Sequence, residues 1–250
     1  MDPSLPPAGA RPRIRWGLPD VAVAWVVGFV AAVVASSIVA AAAGVDADRV
    51  GDDVGVLLAS VVGQAIGVIG TLAVVAARKG RGSLAADFGL VPRLPGGRWT
   101  TATLWVLGGV ALQLVSLPFL QLLVDVHGKV ETQDVVEQFE RARGPSLVLF
   151  AVLVVTVAPV AEELLFRGAL LRALQRRMTP AWAAFVSALA FAAVHPLLSP
   201  TIGSVIAVPA LFALGLISAA VAIRTGDLSR SILLHAGFNL LTAVSVLVAR

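Results

Sequence analysis

Seven apolar stretches run through this chain. At least six of them approach the roughly twenty residues a helix needs to cross a bilayer. They cover residues 21–43, 54–77, 101–124, 147–166, 181–194, 202–223 and 231–249; the fifth is the short one and ends at His195-Pro196. Between them lie brief polar or Gly/Pro-rich connections rather than a separate soluble domain. Of the 250 residues, 58% are hydrophobic and 14% charged, with a mean hydropathy of +0.92. A soluble domain carries about 25% charged residues. The fold class that follows is all-α: a polytopic membrane bundle of about seven transmembrane helices. The ten-residue apolar/polar alternation of an outer-membrane barrel is absent. The Ala/Val/Leu/Gly-rich spans suit helices that approach closely through small residues.

The connections orient the bundle. Residues 1–20 form a Pro-rich, basic lead carrying Arg11, Arg13 and Arg15. The 23-residue run behind it is longer than the 7–15 residues of a signal-peptide core, so it reads as a retained span. The first loop is acidic, with Asp46, Asp48, Asp52 and Asp53, and loop 78–100 is basic and rich in Gly and Pro. Pro118 marks a kink in the third span. In the polar stretch 125–146, Val135, Val136 and Phe139 recur at helical spacing, as in a short interfacial helix, and His127 reads as an ordinary loop residue. With the N-terminus in the cytoplasm, fourteen Lys and Arg residues fall inside and five outside. That bias predicts N-in/C-out and puts Arg167 at the cytoplasmic end of span four. The expected organisation is a lead (1–20), an accessory region of three spans and an outer loop (21–146), and a four-span core (147–250) expected to hold the functional cavity. The net charge of +4 comes from span-end residues and calls for no nucleic-acid partner. There is no cysteine, hence no disulfide and no thiolate metal site. High Ala, Val, Gly and Arg usage suggests a GC-rich bacterial genome and a plasma-membrane location.

Polar groups inside apolar spans are the informative exceptions. An ionisable side chain at membrane depth costs roughly 2.5–3.5 kcal/mol on insertion scales. The set in or at the edge of the spans is Glu162, Glu163, His195 and His235, joined by Asn239 as a strong hydrogen-bonding group, all in the last 90 residues. Adjacent helical residues point about 100° apart, so Glu162 and Glu163 cannot face one point. Arg167 follows Glu163 at i,i+4 with the acid first, which favours an ion pair and leaves Glu162 to face the bundle centre. Pro159 frees a backbone carbonyl one turn earlier. Phe191 and His195 are stacked at i,i+4, as are His235 and Asn239, and Gly237 between the latter permits close helix approach. A histidine exchanges a proton near neutral pH, and an amide can donate to a developing oxyanion. Singly these groups read as interfacial residues or as glue between helices; their joint occurrence points to a polar cavity.

The three motifs E-E-L-L-F-R (162–167), F-A-A-V-H (191–195) and H-A-G-F-N (235–239) together resemble the CPBP (CAAX protease and bacteriocin-processing, or Abi) family of intramembrane proteases, relatives of the type II CAAX prenyl endopeptidase. The resemblance covers residues 147–248; spans one to three carry no family motif. It implies an intramembrane endopeptidase in which Glu162 activates water, His195 helps hold that water, and His235 and Asn239 stabilise the oxyanion, with Glu163 and Arg167 in support. The expected partners are the lipid bilayer and a membrane-embedded or lipid-anchored protein or peptide substrate. No cofactor is favoured. If zinc is used, its ligands are Glu162, His195 and His235, although the H-E-x-x-H pair is missing. The competing readings are a catalytically idle binding or immunity protein and a proton-coupled transporter; no internal repeat supports the latter.

Overall fold

The computed structural model describes residues 14–46, 50, 53–91, 98–127, 145–198 and 201–248. All regular structure among them is helical: α1 (Leu18–Ala43), α2 (Val54–Lys79), α3 (Leu84–Phe88), α4 (Trp99–His127), α5 (residues 145–175), α6 (Pro180–Leu198), α7 (Ile202–Thr225) and α8 (Ser229–Val248). Six of these eight, all but α3 and α8, are long and apolar enough to cross a membrane. The seventh expected span is α8; it runs for 20 residues and carries Arg230, His235 and Asn239. It does not reach that measure over its described residues, so the count among them is six rather than seven. The expected interfacial helix around Val135 lies outside the described residues, and His127 is the last residue of α4 rather than a loop residue.

Local chemistry sets the ends. The carboxylate of Asp53 accepts from Val56 N at 3.0 Å and starts α2, and Thr201 Oγ1 accepts from Ser204 N at 3.1 Å to start α7. Gly44 and Gly226 close α1 and α7 at φ 63° and 72°, where a Cβ would be strained. Large apolar side chains such as Phe29, Ile38, Val115 and Leu122 are exposed, as a lipid-facing surface requires. α1 and α2 form a tight pair. A Cβ on Gly67 would lie 2.8 Å from Gly28 Cα, and one on Gly63 would lie 2.6 Å from the Ala31 carbonyl. α4 packs on α8 in the same way: a Cβ on Gly109 would run into the Leu234 carbonyl, and one on Gly237 into the Val106 carbonyl. Gly237 thus gives the close approach expected of it.

The buried centre is α5. Pro159 does not break it. α-Helical turns Pro145–Val152, Ala158–Glu163 and Leu171–Gln175 alternate with π-helical segments Leu153–Val157 and Leu164–Leu170. In the first π segment the Ala158 N–H reaches back five residues to the Leu153 carbonyl. In that register residue 159 would donate to Val154, and proline has no N–H to give. Asn239 Nδ2 of α8 donates to the Val154 carbonyl instead, at 2.9 Å. In the second segment Ser187 Oγ of α6 donates to the Phe166 carbonyl at 2.9 Å. Neighbouring helices therefore hold the irregular backbone of α5, which is the condition for such backbone inside a bilayer.

One end of the bundle is knotted by a buried carboxylate that the sequence pattern did not single out. Asp87 of α3 accepts from the Trp16 indole N–H at 2.9 Å and from Arg81 N at 2.7 Å. Arg172 of α5 donates to the Gly226 carbonyl at 2.7 Å, and Arg176 donates to the Trp16 carbonyl at 2.6 Å while its guanidinium lies 4.1 Å above the Trp16 ring. This knot fixes α1–α3 against α5.

Candidate active site

The site grows from the turn Ala158–Glu163 and the π segment that follows it. Arg167 does not end span four at the interface, as the charge pattern implied. It is fully buried, and the helix continues to Gln175. Hydropathy reads a charge as a span end, whereas this charge is neutralised inside: Arg167 Nη1 lies 3.0 Å from Glu163 Oε1, both side chains fully buried. Desolvating two ions is expensive, and a pair of this kind persists where its charges meet further partners. Arg167 also stacks on Phe191, its guanidinium carbon 4.3 Å from the ring centroid, and the absence of a side chain at Gly215 leaves room for it; a Cβ there would sit 3.2 Å from Nη2. Glu163 Oε1 meets His235 Nδ1 at 3.1 Å as well.

Those contacts order the histidines. A carboxylate paired with a guanidinium accepts, so Nδ1 of His235 carries the proton and donates to Glu163. Nε2 of His235 is then turned to Glu162 Oε2 at 3.6 Å. His195 Nδ1 lies 2.8 Å from the Phe191 carbonyl, which only accepts, so Nδ1 donates there and Nε2 carries the lone pair of the neutral ring. Phe191 stands between the two imidazoles, edge-on to both at centroid distances of 5.0 and 5.5 Å, and packs against Phe166 at 5.3 Å. Its burial is complete. The sequence placed Phe191 and His195 on one face; its contacts with Arg167 and His235 appear only in three dimensions.

Glu162 is the carboxylate of this cluster that meets open space, with 27% of its side chain exposed. It lines a cavity of about 210 Å³ together with His195, Gln64, Trp25, Val194 and neighbouring apolar residues. Trp25 and Gln64 belong to α1 and α2. The cavity is thus not confined to the last four spans, because α1 and α2 pack against α5 and contribute to its lining. Glu162 and His195 reach the cavity. His235 stands behind Glu162 and is buried, and Asn239 has committed one amide proton to Val154. Of the donors a zinc ion would draw on, His235 has both ring nitrogens turned to carboxylates and His195 has Nδ1 on a carbonyl. Among the described residues no three His, Asp or Glu side chains gather into a set that could hold an ion.

Fold and site together define the class: a multi-pass integral membrane protein with an acid–base cluster built into the centre of its helices. The family model described as "Rce1-like: Type II CAAX prenyl endopeptidase Rce1-like" matches residues 144–241. That segment contains all three motifs, and the model it matches describes the CAAX protease family they resemble. No curated protein and no solved structure matches the chain. The family match and the helical bundle support, in general terms, an intramembrane CAAX-type protease with a membrane-associated substrate.

Proposed function

We propose that the protein is an intramembrane endopeptidase in which Glu162 is the base that activates the attacking water. The observation that carries this reading is the placement of Glu162: it is the one carboxylate of the cluster that opens onto the cavity, beside His195 and with His235 Nε2 behind it at 3.6 Å. Water held between Glu162 and His195 Nε2 has both protons directed at acceptors and a lone pair left for the scissile carbonyl carbon. As the C–O bond forms, Glu162 takes one proton and the carbonyl oxygen becomes an oxyanion. The proton then passes to the amide nitrogen, the C–N bond breaks, and a carboxyl and an amine leave. His235, held by Glu163 and through it by Arg167, fixes the orientation of Glu162; Asn239 holds the π segment with one amide proton, and the oxyanion role expected of His235 and Asn239 draws on the other. Apolar walls exclude bulk water, which strengthens each of these interactions.

No step in this scheme requires a metal, and the absence of cofactor is part of the proposal. The test is cleavage of quenched fluorescent C-a-a-X peptides, one with a free and one with a farnesylated cysteine, by purified full-length protein and by Glu162→Gln. Cleavage by the wild type and its loss in the variant is the expected result. No cleavage of either peptide by the wild type, with a specific complex still formed, would favour the binding or immunity reading instead.

A further inference from the structure

We infer that the substrate is presented as a transmembrane helix, which docks from the bilayer into a groove between α1 and α6 and delivers the peptide bond at its end to Glu162. The inference rests on the protease reading above and adds the substrate class to it. A second cavity, of about 380 Å³, lies beside the one that Glu162 lines. Its lining is apolar throughout, the Trp25 indole N–H aside. Two of its walls are helical stripes: α1 contributes Leu18, Val21, Ala22 and Trp25, and α6 contributes Ala190, Ala193, Val194 and Leu197. Each set follows i, i+3, i+4, i+7, the pattern of one helix face over two turns, or about 10 Å of axis. Leu165, Phe166 and Leu170 of the second π segment of α5 form the floor. α1 and α6 both pack on that segment, but among the described residues they form no packed pair with each other.

Two stripes facing each other across a floor have the shape that receives an apolar helix face with anchors at the same spacing. Ala22, Ala190 and Ala193 keep the walls low, and small residues are what lets helices approach closely inside a bilayer. The rim is open: Ala22 is exposed, and Leu197 is 77% exposed. The inner end leads to the chemistry. Trp25, Leu165, Phe166 and Val194 line both this groove and the Glu162 cavity. An occupant of the groove therefore abuts the reacting atoms, which is the place of a substrate rather than of a structural lipid. A polypeptide that arrives through lipid must satisfy its backbone internally, so it arrives as a helix. Past Trp25 it meets Glu162, Gln64 and His195, polar groups that can bond its backbone as the last turn opens. An extended peptide bond is then presented where Glu162 holds water.

The experiment uses full-length protein in proteoliposomes and three quenched substrates that share one cleavable tail. They are the free C-a-a-X peptide, the same peptide farnesylated, and the same peptide joined to a Leu/Ala helix of about 20 residues. Wild type is compared with Ala22→Phe and Ala193→Phe, which fill the groove at positions that do not line the Glu162 cavity. The helix-linked tail is expected to show a KM at least about tenfold below that of the free peptide. Each Phe variant should raise that KM about tenfold, with kcat held and the free peptide unaffected. In Glu162→Gln, which leaves the substrate whole, photo-leucine in the helix should crosslink to the α1 and α6 stripes; this readout decides the matter should either Phe variant fail to fold. A helix-linked KM no lower than the free one, equal effects of the Phe variants on all three substrates, or crosslinks scattered over other lipid-facing residues overturns the inference and leaves the protease reading standing. So does a rise in KM confined to the farnesylated peptide, which would give the groove to an isoprenoid chain. No cleavage of any of the three by the wild type removes the protease reading and the inference with it.

Discussion

Pro159 and Asn239 lie 80 residues apart in sequence, yet one carbonyl links them: the Val154 oxygen that Pro159 leaves without a donor accepts from Asn239. Proline cannot donate to the Val154 carbonyl in the π register, and Asn239 Nδ2 takes that role at 2.9 Å. Asn239→Ala then leaves a backbone carbonyl without a donor inside the bilayer, where water does not replace it. Its cost is about 1–3 kcal/mol. In a Pro159→Ala background residue 159 regains an N–H that can reach the same carbonyl, and Asn239→Ala should cost less than about 0.5 kcal/mol. The expected coupling energy is therefore about 1–2 kcal/mol, well above the roughly 0.3–0.5 kcal/mol scatter of independent sites. Unfolding of the four proteins of this cycle by SDS titration in mixed micelles, followed by tryptophan fluorescence, reads it directly. Additive costs, or Asn239→Ala equally damaging in both backgrounds, would refute the pairing and return Asn239 to the cavity.

Other consequences are as specific. Arg167→Met alone strands the Glu163 carboxylate in the core and should destabilise by about 3–5 kcal/mol, while adding Glu163→Gln recovers much of that; SDS unfolding of single and double variants checks it. Gly237→Ala and Gly109→Ala drive a Cβ into backbone across the α4–α8 contact and should lower the melting temperature by several degrees, whereas Gly70→Ala, which meets nothing within 4 Å, should be neutral or mildly stabilising. Ser187→Ala removes the buried bond to the Phe166 carbonyl and should cost about 1 kcal/mol in the same titration, with a smaller effect on KM than on kcat if the second π segment positions Glu162.

Much of this molecule was readable from its spans and its i,i+4 pairs. Apolar runs placed six of the seven expected helices within four residues at each end, while the fourth run stopped nine residues short of Gln175, and the Glu163–Arg167 spacing anticipated the ion pair. What stayed hidden came from contacts between distant parts of the chain. A charge inside an apolar run reads as a span end by hydropathy, so Arg167 was expected at the interface; only the fit of Glu163, Phe191 and Gly215 around it shows why it is buried. Gln64 carries no local pattern that marks it, being one amide among alanines, valines and glycines. Its signal was its polarity in span two, and reading that signal needed the α1–α2 crossing. Asp87 looked like one charge in a basic loop, though it ties Trp16 to the loop after α2. The carbonyl freed by Pro159 was foreseeable, but its recipient was not, since nothing in H-A-G-F-N names Val154.

The central claim is that Glu162 activates water without a metal. Cleavage of the quenched C-a-a-X peptides by wild type and Glu162→Gln, each with and without a chelator, tests it most directly. The account expects wild-type cleavage that is indifferent to chelator, and a fall of at least about 100-fold in kcat for Glu162→Gln. Cleavage abolished by chelator and restored by zinc, or equal in wild type and variant, would contradict it.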